Sequence, residues 1–125
     1  MSQAFFIIAA VLSGLIAVGH VLAGGRKFVP TILGEDALPQ RTAWLAYFSW
    51  HVGTVALLAC AGAFAYAANV PDQIGAAIFA SITVTGFAFI GLGMALMGGG
   101  ALFKTPAPYV FWLVGAAAWA GVATA

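Results

Sequence analysis

The chain has 125 residues, of which 64% are hydrophobic and only 6% are charged, and its net charge is +1. Soluble domains carry about 25% charged residues, so this composition excludes a water-facing globular surface. There is no basic stripe that would indicate nucleic-acid binding, and the single cysteine excludes an internal disulfide. We therefore predict an integral membrane protein whose length allows one domain and about four spans of ~20 apolar residues.

Four apolar runs follow one another along the chain, over about residues 4–25, 42–70, 74–97 and 109–125. Each run is continuous and longer than the ~10-residue alternating segments of membrane β-barrels. Only helices satisfy the backbone hydrogen bonds of such runs in lipid. The runs predict an all-α membrane protein, a single four-transmembrane-helix bundle over residues 1–125. The first run lacks a positively charged start and is too long for a cleaved signal peptide, so we expect it to be a retained span.

Polar segments with turn signals separate the runs. Gly24 and Gly25 precede the first segment, and we expect them to end the first helix. The apolar part of this segment, residues 28–33, could lie in the membrane interface, with Arg26 and Lys27 facing anionic lipid. A solvated connector, a lid over the histidines described below and a docking surface are the other interpretations of this segment.

The cationic residues predict the orientation of the bundle. Arg26, Lys27 and Arg41 lie in the first polar segment and Lys104 lies in the third, whereas the second segment and both ends of the chain carry no Lys or Arg. By the positive-inside rule, the first and third segments are cytoplasmic and both termini are outside. This pattern predicts a multi-pass protein of the bacterial inner (plasma) membrane, N-out and C-out.

The two histidines of the chain, His20 and His51, both fall in the predicted cytoplasmic half. At ~1.5 Å per residue they lie roughly 6–8 Å and 12–14 Å from the cytoplasmic ends of their helices. Polar side chains in a span usually face the bundle interior, so we expect both rings to face inward. Helical spacing gives a candidate interior strip that consists of Ser13, His20, Tyr47, His51 and Thr54.

Three interpretations of this strip stay open. In the first, each histidine only donates a hydrogen bond between helices. In the second, His20 and His51 are ligands of a metal ion or of a haem b iron, with Met94 of the third helix as a further ligand. In the third, the strip binds a small apolar ligand such as a quinone or a lipid, with a histidine or Tyr47 as the hydrogen-bond donor.

Catalysis and proton-coupled transport are not favoured by the sequence. There is no nucleophile motif, and the only acidic residues, Glu35, Asp36 and Asp72, lie in polar segments. No charged residue falls within a predicted span, where proton-driven transporters generally need an acid. The many glycines and alanines of the spans are typical of close helix packing, within the chain or against other membrane subunits or further copies of it.

The segment "GHVLAGGRKFVPTIL", followed by "WHVGT", resembles a group of small, uncharacterised bacterial four-span membrane proteins. These proteins share a His-x(3–4)-Gly-Gly-Arg segment after the first span and a Trp-His pair in the second. The matching positions are His20, Gly24, Gly25, Arg26, Pro30, Trp50 and His51. The resemblance covers about the first half of the chain and implies no activity or ligand.

The leading interpretation is a small inner-membrane protein with an interior two-histidine site in its cytoplasmic half, which binds a haem, a metal ion or an apolar ligand. The alternative is a non-catalytic structural or assembly subunit of a larger membrane complex. Its contacts would be membrane lipid and the helices of other subunits.

Overall fold

The computed structural model describes residues 1–34 and 38–125, which are almost entirely helical and contain no strand. The four helices are α1 (Ser2–Gly34), α2 (Gln40–Asn69), α3 (Ile74–Met97) and α4 (Ala107–Ala123). Short 3₁₀ turns, Pro71–Gln73 and Ala101–Lys104, precede α3 and α4. By length and composition, α1, α2 and α3 are each able to cross a membrane. The prediction of an all-helical bundle of apolar helices is confirmed.

The predicted end of the first helix at Gly24 and Gly25 is wrong. Helix α1 passes through a π-helical turn, His20–Gly24, and then continues as an α-helix, Gly25–Gly34. Neither glycine adopts the positive φ that a helix end commonly uses, since Gly25 is right-handed helical. The continuation packs against α2, where the Phe28 ring lies 6.2 Å from the Trp50 indole between centroids, and Val29 and Ile32 are partly buried. Residues 35–37 of the predicted first segment lie outside the described part of the chain.

The third connection begins with two glycines of positive φ. Gly99 and Gly100 have φ values of +62° and +82°, a conformation that glycine adopts without steric cost. The Gly100 amide donates to the Ala95 carbonyl at 2.9 Å, and the Gly99 amide donates to the Leu96 carbonyl at 3.4 Å. This pair of bonds is a Schellman motif, which satisfies the last carbonyls of α3 and turns the chain towards α4.

The helices form a closed ring in which α1 packs against α2 and α4, and α3 packs against α2 and α4. The core between them is built mainly from alanine and valine with two phenylalanines. Two glycine contacts locate α4 in this ring. The Phe6 ring lies directly against Gly121, and a side chain at Gly91 would come within 3.3 Å of the Pro108 backbone. Helix α4 therefore contacts α1 near its C-terminal end and α3 near its N-terminal end.

The helices differ in length. Helices α1 and α2 have 33 and 30 residues, whereas α3 has 24 and α4 has 17. At ~1.5 Å per residue this corresponds to about 50, 45, 36 and 26 Å. The α1–α2 pair therefore extends beyond the rest of the bundle.

Candidate functional site

In the contact between α1 and α2, two glycines face two bulky rings. A Cβ atom at Gly24 would lie 2.8 Å from Cη2 and Cζ2 of Trp50, and one at Gly53 would lie 3.9 Å from Nε2 of His20. The missing side chains of Gly24 and Gly53 thus make room for the Trp50 and His20 rings. We call this group, His20, Gly24, Trp50 and Gly53, the His–Trp seam.

His20 has two contacts with the same partner in the seam. Its imidazole stacks on the Trp50 indole with ring centroids 3.8 Å apart and an interplanar angle of 15°. Its Nε2 lies 3.2 Å from the Trp50 carbonyl oxygen. A carbonyl can only accept, so Nε2 is the protonated ring nitrogen and donates this bond. Both the face and one nitrogen of the imidazole are therefore engaged in packing α1 onto α2.

The Trp50 carbonyl is a shared acceptor. In addition to His20, the Thr54 hydroxyl donates to it at 3.3 Å. The Phe28 ring approaches the Trp50 indole from the continuation of α1, with centroids 6.2 Å apart. The seam therefore links three segments: the π-helical turn, the end of α1 and the first half of α2.

The π-helical turn begins at His20. The amide of Gly25 donates to the His20 carbonyl, a bond that spans five residues instead of four. Such turns are uncommon and occur frequently at functional sites. His20 and Gly24 both contact Trp50, so this turn lies on the face of α1 that meets α2.

His51 does not face the bundle interior, so this expectation from the sequence is wrong for the single chain. Its side chain is exposed, and its ring packs edge-on against the Tyr47 ring of the same helix, with centroids 4.6 Å apart. The cause is the seam: Trp50 fits against Gly24, and its neighbour His51 is about 100° further round the helix. Trp50, and not His51, therefore lies between α1 and α2.

The other predicted site residues occupy separate positions. Thr54 and Tyr47 are partly buried, whereas Met94 is 55% exposed on α3. Ser13 is fully buried, as expected, and its hydroxyl has no hydrogen-bond partner among the described residues. The described ranges contain no group of three or more His, Cys, Asp or Glu side chains that could hold a metal ion. The structure brings Thr54 to the seam but records no contact between His20 and His51.

Sequence analysis missed Trp50 and Gly53 as site residues, and it also missed a polar contact between α3 and α4. There the Trp119 Nε1 donates to the Thr85 hydroxyl at 3.0 Å. The sequence held a signal for each contact. Glycines in a span mark close approaches between helices, which applies to Gly53, and an indole N–H in a span needs an acceptor, which applies to Trp119. The register between helices, which pairs these residues, cannot be read from one helix alone.

The chain matches no known protein family, and no curated protein or solved structure is significantly similar to it.

Proposed function

We propose that this chain is a structural or assembly subunit, a small multi-pass protein of the bacterial inner membrane that packs against other membrane helices and has no catalytic role. In this proposal the bundle spans the membrane four times, with both termini outside. The observation that carries the proposal is that Trp50 occupies both the ring face and the Nε2 of His20, by stacking and by a hydrogen bond. These are the contacts of a residue that holds two helices together.

The contacts of α4 support a fourth span. With 17 residues, it is shorter than the three helices that are long enough to cross a membrane. However, it touches α1 near one end, at Gly121, and α3 near the other, at Pro108. The Trp119–Thr85 hydrogen bond adds a second contact with α3, towards the C-terminal end of α4. A helix that contacts spanning helices near both of its ends is expected to lie in the same medium as they do.

The outer face of α2 supports docking to another helix. His51, Val55, Ala59 and Gly62 are all exposed and fall on one side of the helix, and we call them the α2 face. Small residues let helix backbones approach closely in lipid, and a polar side chain gains a hydrogen-bond partner from a neighbouring helix. An imidazole exposed on the side of a span has no such partner in lipid. The α2 face thus combines both properties of a helix contact.

A pair of glycine variants tests this role. Gly62 on the α2 face and Gly86 on α3 are both exposed, and a Cβ at either position would meet nothing within 4 Å. Because both positions are exposed and open to a Cβ, we expect Gly62→Leu and Gly86→Leu to leave the single-chain fold intact. In mild detergent, we expect the protein to migrate in native electrophoresis as a particle larger than one chain. Gly62→Leu and His51→Leu should reduce it to a single chain, and Gly86→Leu should not. A wild-type protein that migrates as one chain would contradict the proposal.

The second candidate function is the binding of a haem, a metal ion or a quinone by His20 and His51. The observation that favours it is the π-helical turn at His20, since such turns recur at functional sites. Binding would require His20 to leave Trp50 and His51 to turn inward. Purified protein with a haem absorption band, stoichiometric metal or extractable quinone, lost in both His20→Ala and His51→Ala, would establish this function in place of the first.

A further inference from the structure

A groove lies between α3 and α4, on a different pair of helices from the His–Trp seam. Its volume is about 230 Å³. The small residues Ala88, Gly115 and Ala116 line it together with the aromatic residues Phe111, Trp112 and Trp119, and Thr85 completes the lining. The exposed position of Trp112, Ala116 and Trp119 shows that the groove opens to the outer surface of the bundle.

Two polar side chains of this groove, Thr85 and Trp119, are paired with each other. The Thr85 hydroxyl donates to the Ser81 carbonyl at 2.7 Å and accepts from the Trp119 Nε1 at 3.0 Å. The Trp119 N–H is the only donor of its indole, so it is fully used. Thr85 and Trp119 therefore offer an occupant no free hydrogen-bond donor, and the only other polar side-chain atom of the lining is the Trp112 Nε1.

The depth of the groove further restricts the occupant. Thr85 is halfway along α3 and Gly115 is halfway along α4. If these helices cross a bilayer, the groove is near the middle of its hydrocarbon core, about 15 Å from either headgroup layer. Its volume is below the range of about 300–1,000 Å³ that is typical of sites for drug-sized ligands.

The geometry points to a binding site for one acyl chain of a membrane lipid, held between α3 and α4 at mid-membrane depth. The aromatic rings form its walls, and the small residues form a floor that lets the chain approach the helix backbones. Because the groove contacts only hydrocarbon, the site selects for the chain and not for the headgroup. The inference is independent of the docking role proposed for α2.

A groove-filling variant tests this site. Ala116 is exposed and lines the groove, so Ala116→Phe fills it from the outside without burying new volume in the core. The control is Leu15→Phe, which also places a new ring on an exposed, apolar position, on α1. Protein extracted from vesicles of phosphatidylethanolamine and phosphatidylglycerol is analysed by native mass spectrometry. We expect wild type and Leu15→Phe to retain one phospholipid per chain, with either headgroup, and Ala116→Phe to lose it.

A second measurement locates the lipid. In vesicles whose acyl chains carry bromine at their midpoint, the tryptophan fluorescence of wild type should be quenched more than that of Ala116→Phe, because Trp112 and Trp119 line the groove. If Ala116→Phe fails to fold, Ala116→Leu should show the same loss to a smaller extent. Equal lipid retention and equal quenching in wild type and the filled variants would overturn the inference. So would a dimer that becomes a monomer in Ala116→Phe, since a second copy would then be the occupant.

Discussion

At the scale of single residues, the smallest side chains decide which large ones are inside. Gly24 leaves the space that the Trp50 ring fills, and Gly53 faces the His20 ring. With Trp50 fixed in this position, the helical repeat turns His51 outward. A rule that polar residues face inward therefore predicted His20 correctly and His51 incorrectly. The sequence predicted the buried position of Ser13, because it shares a helix face with His20.

The Gly24 contact predicts a large difference between two adjacent glycines. Gly24→Ala should lower the free energy of unfolding by about 1–3 kcal/mol, because the new methyl group overlaps the Trp50 ring. Gly25→Ala is the matched control, since a Cβ there meets nothing within 4 Å. It should leave stability unchanged or raise it by up to about 1 kcal/mol through helix propensity. Titration with sodium dodecyl sulfate, followed by circular dichroism, measures both. Equal effects would contradict the close contact.

The two contacts of His20 can be separated by substitution. His20→Phe retains a ring that can stack on Trp50 but lacks the donor to its carbonyl, so we expect a loss of about 0.6–1.7 kcal/mol in unfolding free energy. His20→Ala removes both contacts and should cost more. The same detergent titration with His51→Ala should give costs that add within about 0.3–0.5 kcal/mol in the double variant. Strong non-additivity would instead favour one shared site.

At the scale of helices, the sequence predicted which segments are helical better than it predicted the residues at which the helices end. The predicted third span, residues 74–97, coincides with α3. The end of α1 was not predicted, because Gly24, Gly25 and Arg26 together have the composition of a helix terminus. What extends α1 to Gly34 is packing against α2, a tertiary contact that local composition does not report.

The continuation of α1 should depend on the residues that face α2. Ile32 is partly buried and its neighbour Leu33 is exposed. Ile32→Ser should therefore speed hydrogen exchange of the amides in Gly25–Gly34, because the helix loses the packing that stabilises it, while Leu33→Ser should have a weaker effect. Mass spectrometry of the exchanged protein in detergent measures both. Fast exchange of this segment already in the wild type would contradict a stable extension.

At the scale of the whole molecule, the distribution of charge predicts the orientation. All four Lys and Arg residues lie in the first and third polar segments of the sequence. If the C-terminus is outside, as this distribution predicts, a C-terminal fusion to alkaline phosphatase should be active and one to green fluorescent protein should be dark. Adding cations to the Pro71–Gln73 turn between α2 and α3, for example with Asp72→Lys and Gln73→Lys, should reduce the preference for this orientation. Bright fluorescence with inactive phosphatase in the unmodified chain would reverse the orientation.

The shortness of α4 has a consequence for the surrounding bilayer. Its ~26 Å is less than the ~30 Å of a typical hydrocarbon core, whereas α3 beside it exceeds that thickness. If all four helices span the bilayer, as proposed, a bundle of this shape would meet lipid with an uneven hydrophobic thickness, and such mismatch costs fractions of a kcal/mol per Å. Lipid next to α4 would then thin, whereas lipid next to α1 and α2 would not need to. In that case the hydrophobic thickness of the protein decreases from α1 and α2 to α4, and thinner membranes should accommodate its α4 side with less deformation.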